Sequence, residues 1–378
     1  MAQPDRAAID AALATVHDPE IRRPITDLGM VGSVDIADDG SVNVTVLLTV
    51  SGCPLRTEII DRVTTAVSTV PDVASVAVQL DVMSDEQRTR LRESLRGAGR
   101  DIVFNRPGNL TRIYTVASGK GGVGKSSVTV NLAAAMADRG LAVGLLDADI
   151  YGHSVPRMLG LERNPTVVDG MLLPPDANGV RAISMLPFKP GGSAEPVAFR
   201  GPMLHRALEQ FLTDVWWGDL DVLLLDLPPG TGDVAISSAQ LLPNAEMLVV
   251  TTPQEAAAEV AVRAGMLAQQ TKQKVAGVIE NMSGFACPHC GEAIDMFGRG
   301  GGDTVAATLT RALGVDVPLL GRIPFDPRLR EGGDTGRPLV TTDPDCAAAQ
   351  SIVAVASSLA ERKRGLAGLD LGVTPAGR

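Results

Sequence analysis

The sequence predicts an α/β protein, a mainly parallel sheet covered by helices on both faces, preceded by a small N-terminal α+β domain. From residue 111 onward, short apolar runs alternate with longer helical stretches, the texture of strands buried on both sides. Before about residue 81, SVNVTVLLTV alternates at period two, the mark of a sheet with one solvated face. Between the two lie the charged MSDEQRTRLRESLR and then GAGRDIVFNRPGN, rich in Gly, Asn and Pro, which together mark a boundary.

In chain order, an Ala-rich helix is expected over 5–16, a strand over 41–50, a helix from Pro54, a strand over 73–80 and a charged helix over 83–96. Strands are then expected at 113–117, 143–146, 222–225, 247–250 and 275–279. Helices should fill 125–139, 203–214, 255–270, 303–313 and 345–359. The expected domains are therefore an α+β unit over 1–83, a helical or flexible linker over 84–110, the large α/β domain over 111–365 and a mobile tail over 366–378. The sheet and its cover begin beyond about residue 109, so this part is expected to fold alone.

Lys plus Arg number 34 against 44 Asp plus Glu, a net charge of -10, which disfavours broad attraction to nucleic acid or anionic lipid. Aromatics at 3% are too few for base-stacking surfaces. No apolar run approaches the roughly 18 residues of a membrane helix, and the first residues lack a basic stretch followed by an apolar one, so a cytoplasmic location is expected. Four cysteines are too few for a disulfide framework in 378 residues, and the close pair invites a metal or redox reading.

The strongest motif is GKGGVGKS, which fits G-x-x-x-x-G-K-[ST] between an apolar strand and a helix. Gly119, Lys120, Gly121, Gly122, Val123, Gly124, Lys125 and Ser126, with Ser127 following, form the expected phosphate cradle. Glycines let backbone N–H groups close around phosphate oxygens, Lys125 reaches the β- and γ-phosphates, and the Ser126 hydroxyl suits Mg²⁺. The large domain is thus read as a P-loop NTPase that takes a nucleoside triphosphate with Mg²⁺.

Asp147, Asp149 and Asp226 each follow an apolar strand, where carboxyl ends would set them beside the phosphates. Asp226, after VLLL, has the character of a Mg²⁺-holding acid, whereas Asp147 reads more readily as structural or capping. Gly230 and Gly232 would admit the backbone close to the γ-phosphate. Asn281 in IENMS and Asp326 in IPFDP follow expected strands, and the Asn281 amide can both donate to and accept from an adenine edge.

Cys287 and Cys290 in CPHC supply only two of four tetrahedral ligands. Three completions are open: a second pair from a symmetry mate, His289 with another side chain around zinc, or no metal and a dithiol/disulfide couple. The motif sits in a Gly-rich loop rather than at the start of a βαβ unit, where a thioredoxin-type pair belongs. Two pairs across a two-fold axis would give four thiolates, the complement of a [4Fe–4S] cluster. Cys53 in SGCPL is expected at a helix N-cap, which would stabilise its thiolate. Cys346 is expected to pack in the core at the start of an Ala-rich helix.

Lys120 makes the loop the deviant form of the P-loop. GKGGVGKS, DADIYGHS, DLPPGTGD, NMSGFACPHC and FGRGGG together resemble the Mrp/ApbC family of iron–sulfur cluster carriers, within the MinD/ParA/Mrp group, over about 110–365. HDPEI, ITDLGMV and SGCP resemble the small domain of iron–sulfur assembly factors, often fused to such ATPases. The resemblance implies an ATP-hydrolysing homodimer in which Lys120 contacts phosphate across the interface, Asp149 orients the attacking water and Asp226 holds Mg²⁺ through water. It implies adenine contacts at Asn281 and Asp326, and a [4Fe–4S] cluster held by Cys287 and Cys290 of both subunits. The cluster would come from an assembly scaffold and pass to apo iron–sulfur proteins, with neither nucleic acid nor membrane as partner. The family commonly has Pro where His153 stands, so this His carries no chemistry. The alternative, a MinD/ParA-like positioning or partition ATPase, shares the P-loop but normally lacks the cysteine pair, and it asks for a membrane helix or basic surface that the C-terminal tail supports weakly.

Overall fold

A computed structural model of the chain describes residues 3–50, 52, 54–96, 101–149, 152, 154–184, 201–287 and 289–361. Cys53, His153 and the 366–378 tail lie outside them. Its elements are α1 (Arg6–Ala14), β1 (Val31–Ile36), β2 (Ser41–Leu48), α2 (Arg56–Ser68), β3 (Ser75–Val82), α3 (Asp85–Arg96), β4 (Arg112–Ser118), α4 (Lys125–Asp138), β5 (Val143–Asp147), α5 (Val155–Leu159), β6 (Thr166–Val168), β7 (Met171–Leu173), β8 (Asp176–Ala177) and β9 (Val180–Ser184). There follow α6 (Gly201–Thr213), β10 (Val222–Asp226), α7 (Asp233–Leu241), β11 (Glu246–Thr251), α8 (Glu255–Gln270), β12 (Lys274–Asn281), β13 (Phe285–Ala286), β14 (Ala293–Ile294), α9 (Gly301–Leu313), β15 (Leu319–Ile323), α10 (Pro327–Thr335), α11 (Leu339–Thr342) and α12 (Ala347–Glu361).

The chain forms two compact units. The first comprises residues 1–100 together with 165–174 and 214–218. Its sheet runs β1-β2-β3, antiparallel then parallel, the parallel step being the crossover through α2. Every second residue of β2 is buried, and Ile59, Val63 and Val67 give α2 a matching apolar stripe. α2 starts at Arg56 with Leu55 in the cap position, two residues later than the expected Pro54. The β6–β7 hairpin belongs to this unit: Val168, Met171 and Leu173 are buried in its core, and Asp169 receives Arg92 at 2.7 Å. Residues 214–216 extend the hairpin, Leu172 N–H donating to Asp214 and Trp216 N–H to Leu172.

The second unit holds a sheet of order β15-β12-β11-β4-β10-β5-β9-β8, parallel throughout except for β8. β5 and β10 are buried at every position and β4 at all but its first, so both faces are covered, as the apolar runs predict. α4, α11 and α12 share one buried cluster with Tyr114, Val116, Leu145 and Leu224, while α8 packs on β4 and β11. Cys346 packs against the same cluster at the start of α12, in agreement with the core reading. Strand order reverses beside β4, where the chain proceeds to β5 on one side and β11 on the other. Ligands of open α/β sheets bind at such a switch point, at the carboxyl ends of the strands.

No helix among the described residues is long and apolar enough to cross a membrane.

Candidate functional site: a phosphate loop joined to a cysteine hairpin

The loop after β4 turns into α4 through Gly122 and Gly124, both at positive φ, and Gly124 caps the helix. A side chain at Gly124 would also overlap the Asn281 amide. The motif thus needs glycine both for backbone conformation and for close approach. Lys125, the first residue of α4, is buried, and its Nζ lies 2.7 Å from Asp226 Oδ2. Ser126 Oγ donates to the same oxygen at 2.5 Å, and Thr129 Oγ1 donates to Oδ1 at 2.8 Å. Asp226 ends β10 in register with Val116 of β4 and Asp147 of β5, which aims the three acids predicted from sequence toward one crevice. Gly230 N–H donates to Ser118 O at 2.8 Å, drawing the PPGTGD loop onto the start of the phosphate loop.

Burial first, then the Asp226 and Asp149 carboxylates, push the Asp147 carboxyl up to about 8, against the opposing pull of Lys125 and the Ser184 hydroxyl. At neutral pH Asp147 therefore holds a proton, and the local charge is set by Lys125 with Asp226. Asp149 accepts from Gly152 N–H at 2.9 Å, and its own N–H donates to Asp147 at 3.2 Å.

Asn281, at the end of β12, is buried and donates through Nδ2 to Val123 O at 2.9 Å, while its Oδ1 has no partner among the described residues. An orphaned buried acceptor beside the phosphate loop suits a donor such as an adenine amino group. Asp326 caps α10, accepting Arg328 N–H at 3.0 Å, and both its oxygens take the Arg328 guanidinium, which holds its carboxyl below the ordinary range. Lys120 Nζ donates to Gln254 Oε1 at 3.2 Å in an exposed position. The hydroxyl and carboxylate oxygens of Ser126 and Asp226 are a donor set that fits Mg²⁺.

Six residues beyond Asn281 comes Cys287. The intervening backbone is tied to the neighbouring strand end, Ser283 N–H donating to Ile323 O and Phe325 N–H to Gly284 O, both at 2.8 Å. Phe325 then stacks edge-on against Phe285 and lies 6.0 Å from Phe297, fixing the root of the β13–β14 hairpin. At its tip the backbone N–H groups of Cys290 and His289, and then the Cys290 thiol, hold the Cys287 thiol below its ordinary range. Cys290 and His289 are exposed. No group of three or more His, Cys, Asp or Glu placed to hold a metal occurs among the described residues. The structure therefore brings Lys125, Ser126, Asp226, Asp147, Asp149 and Asn281 to one strand end and sets the two thiols apart on the hairpin.

The sequence model of the NUBPL iron-transfer P-loop NTPase family matches residues 109–360. The chain belongs to this family. A model of an iron–sulfur cluster assembly protein matches residues 6–80. The chain is 62% identical over 374 residues to the iron–sulfur cluster carrier protein of Mycobacterium bovis, covering 98% of this chain and 97% of that protein. To the carrier protein of Deinococcus radiodurans it is 43% identical, covering 93% and 94%. Among solved structures, a nucleotide-binding protein of Archaeoglobus fulgidus in complex with ADP superposes with a TM-score of 0.51 at 34% identity, covering 70% of this chain and 95% of that one. The iron-transfer NTPase match thus includes both the phosphate loop and the cysteine hairpin.

Several residues at this site went unread in the sequence. Thr129 shares Asp226 with Ser126, Gln254 receives Lys120, and Glu280 is buried next to Asn281. Only Thr129 left a signal, its spacing of four from Lys125 on one helix face.

Proposed function

We propose that the chain is an ATP-hydrolysing carrier of iron–sulfur clusters, in which two copies hold a [4Fe–4S] cluster as cargo between their Cys287–Cys290 pairs. The observation that carries this reading is the pair of free thiols, Cys290 exposed and Cys287 half-buried, on a hairpin rooted at the strand end that meets the phosphate loop. One subunit offers iron two thiolates, and a two-fold axis supplies the other two. The relatives named as carriers, aligned over nearly the full chain, support the same reading.

In this mechanism the loop backbone and Lys125 hold the β- and γ-phosphates, and Lys120 reaches the partner's nucleotide. Ser126, and Asp226 through water, would hold Mg²⁺, which would supply positive charge to the phosphates. Asp149 orients the water that attacks the γ-phosphorus as the bond to the β-phosphate oxygen breaks. Asn281 meets the adenine edge, and Asp326 would join it by exchanging its contact with Arg328. Hydrolysis is coupled to the cysteines through two connections: Asn281 runs directly into the hairpin, and the 252–254 turn receives Lys120 at Gln254 while lying under Gly301, where the hairpin segment ends. The residues before 84 act as the accessory assembly domain. Cluster arrives from a scaffold and leaves to apo iron–sulfur proteins in the cytoplasm, without nucleic acid or membrane.

Anaerobic reconstitution with iron and sulfide tests this. About four irons per dimer are expected, and none with Cys287→Ala or Cys290→Ala, whose ATP binding should persist. One zinc per subunit with no uptake of iron would overturn the reading.

A further inference from the structure

Two neighbours on β12 have divided duties. Successive strand residues point to opposite faces, so Asn281 meets the phosphate loop while Glu280 faces the start of α9. Glu280 is almost wholly buried, yet its carboxylate is fully engaged. One oxygen accepts the Ser283 hydroxyl at 2.6 Å and the other accepts Gly302 N–H at 2.6 Å.

Ser283 is where the chain leaves the sheet for the cysteine hairpin, and Gly302 is where it returns in the first turn of α9. The carboxylate spans the two feet of the loop that carries Cys287 and Cys290. Arg322 stands 3.7 Å from the Ser283-facing oxygen and grips both oxygens of Asp303, one residue beyond Gly302. The glycines at the returning foot fit this closure. A Cβ on Gly302 would lie 2.8 Å from the Glu280 Cβ, and one on Gly301 would lie 2.5 Å from Thr252 O. A charged acceptor at a helix N-terminus between two donors makes strong, short bonds, and a buried one has few alternative partners.

We infer that Glu280 is a positioning residue that fixes the base of the cysteine hairpin, so that a change at Asn281 on nucleotide binding reaches Cys287 and Cys290 as a rigid movement. The inference rests on the proposed coupling of nucleotide and cysteines, but not on what the thiols bind.

The test is site-resolved alkylation of Cys287 and Cys290 by iodoacetamide in the full-length protein, with and without ATP and Mg²⁺. Coupling between sites is commonly about fivefold or more, and the parent protein should show a rate ratio of that order. Glu280→Gln, whose amide cannot accept from both feet, should shrink the ratio by at least about twofold, with ATP affinity unchanged. Ser283→Ala removes one foot only and should act in the same direction by less, which keeps the test alive if the Gln variant does not fold. A parent without an ATP response, variants that respond as the parent does, or a ratio that falls only in step with ATP affinity would each overturn the inference. Iron and sulfide uptake measured in parallel separates the readings, because a parent that responds to ATP but takes up no iron defeats the carrier and leaves the clamp standing.

Discussion

Replacing Lys125 by Ala probes the phosphate loop as a stability element as well as a catalytic one. Lys125 Nζ and Asp226 Oδ2 are 2.7 Å apart, with the side chains 6% and 0% exposed. Without the ammonium, Asp226 is a buried carboxylate with Asp147 and Asp149 as neighbours, steadied among the described residues by the Ser126 and Thr129 hydroxyls. Removing one partner of a buried ion pair costs about 3–5 kcal/mol. At about 2–4 °C per kcal/mol for a domain of this size, the thermal midpoint should fall by roughly 6–20 °C. Hydrolysis should fall separately, by about 10²–10³-fold for the loss of one preorganised contact to developing charge. Lys125→Ala combined with Asp226→Asn leaves no unpaired charge, so the double variant should regain about half or more of the lost stability while remaining inactive. Calorimetry without nucleotide and a phosphate-release assay read the two effects apart. A single variant within about 1 kcal/mol of the parent, or a double variant no more stable than the single, would refute the argument.

Asn281→Ala frees the Val123 carbonyl and deletes the orphaned acceptor, so ATP should bind about 5–150-fold more weakly while pyrophosphate is affected less; calorimetric titration of both ligands checks this. The folded-state pKa of Asp147 is raised from 3.8 to about 8, so the native state keeps a proton that the unfolded chain releases, and stability must decline as pH rises through that window. Asp147→Asn cannot ionise, and its gain over the parent in thermal melts should grow between about pH 4 and pH 8 and then level off; a gain independent of pH would count against the assignment. A chain starting at residue 101 strips Val168, Met171 and Leu173 of their core, at about 1.5–3 kcal/mol of burial each. Such a chain should still bind ATP but be cut by protease within 165–174, whereas an uncut hairpin would show that the first unit is dispensable to it.

The fold was readable where burial is uniform and unreadable where it depends on distant partners. β5 and β10 are covered on both faces, so VGLLD and VLLLD carry no competing pattern. β1, with Gly32 and Ser33 in its middle, shows too little alternation to stand out. The β6–β7 hairpin had a local signal in Asp169-Gly170, both at positive φ, but nothing in TVVDGMLL says that its apolar side enters a core built from residues before 100. The site divides in the same way. Lys125, Ser126 and Asp226 are fixed by motif spacing and by a position at the end of an apolar strand, and they converge as those features require. Asp147 read as a structural acid because its protonation arises from the register that sets it beside Asp226. Asp326 was read only through the family resemblance, and its local role, a cap followed by Pro327 at the first helical position, went unread although both residues are in the sequence. Glu280 had no reading at all, because its partners lie three and twenty-two residues further along the chain, and a single carboxylate joins them only after the cysteine hairpin has returned to the sheet.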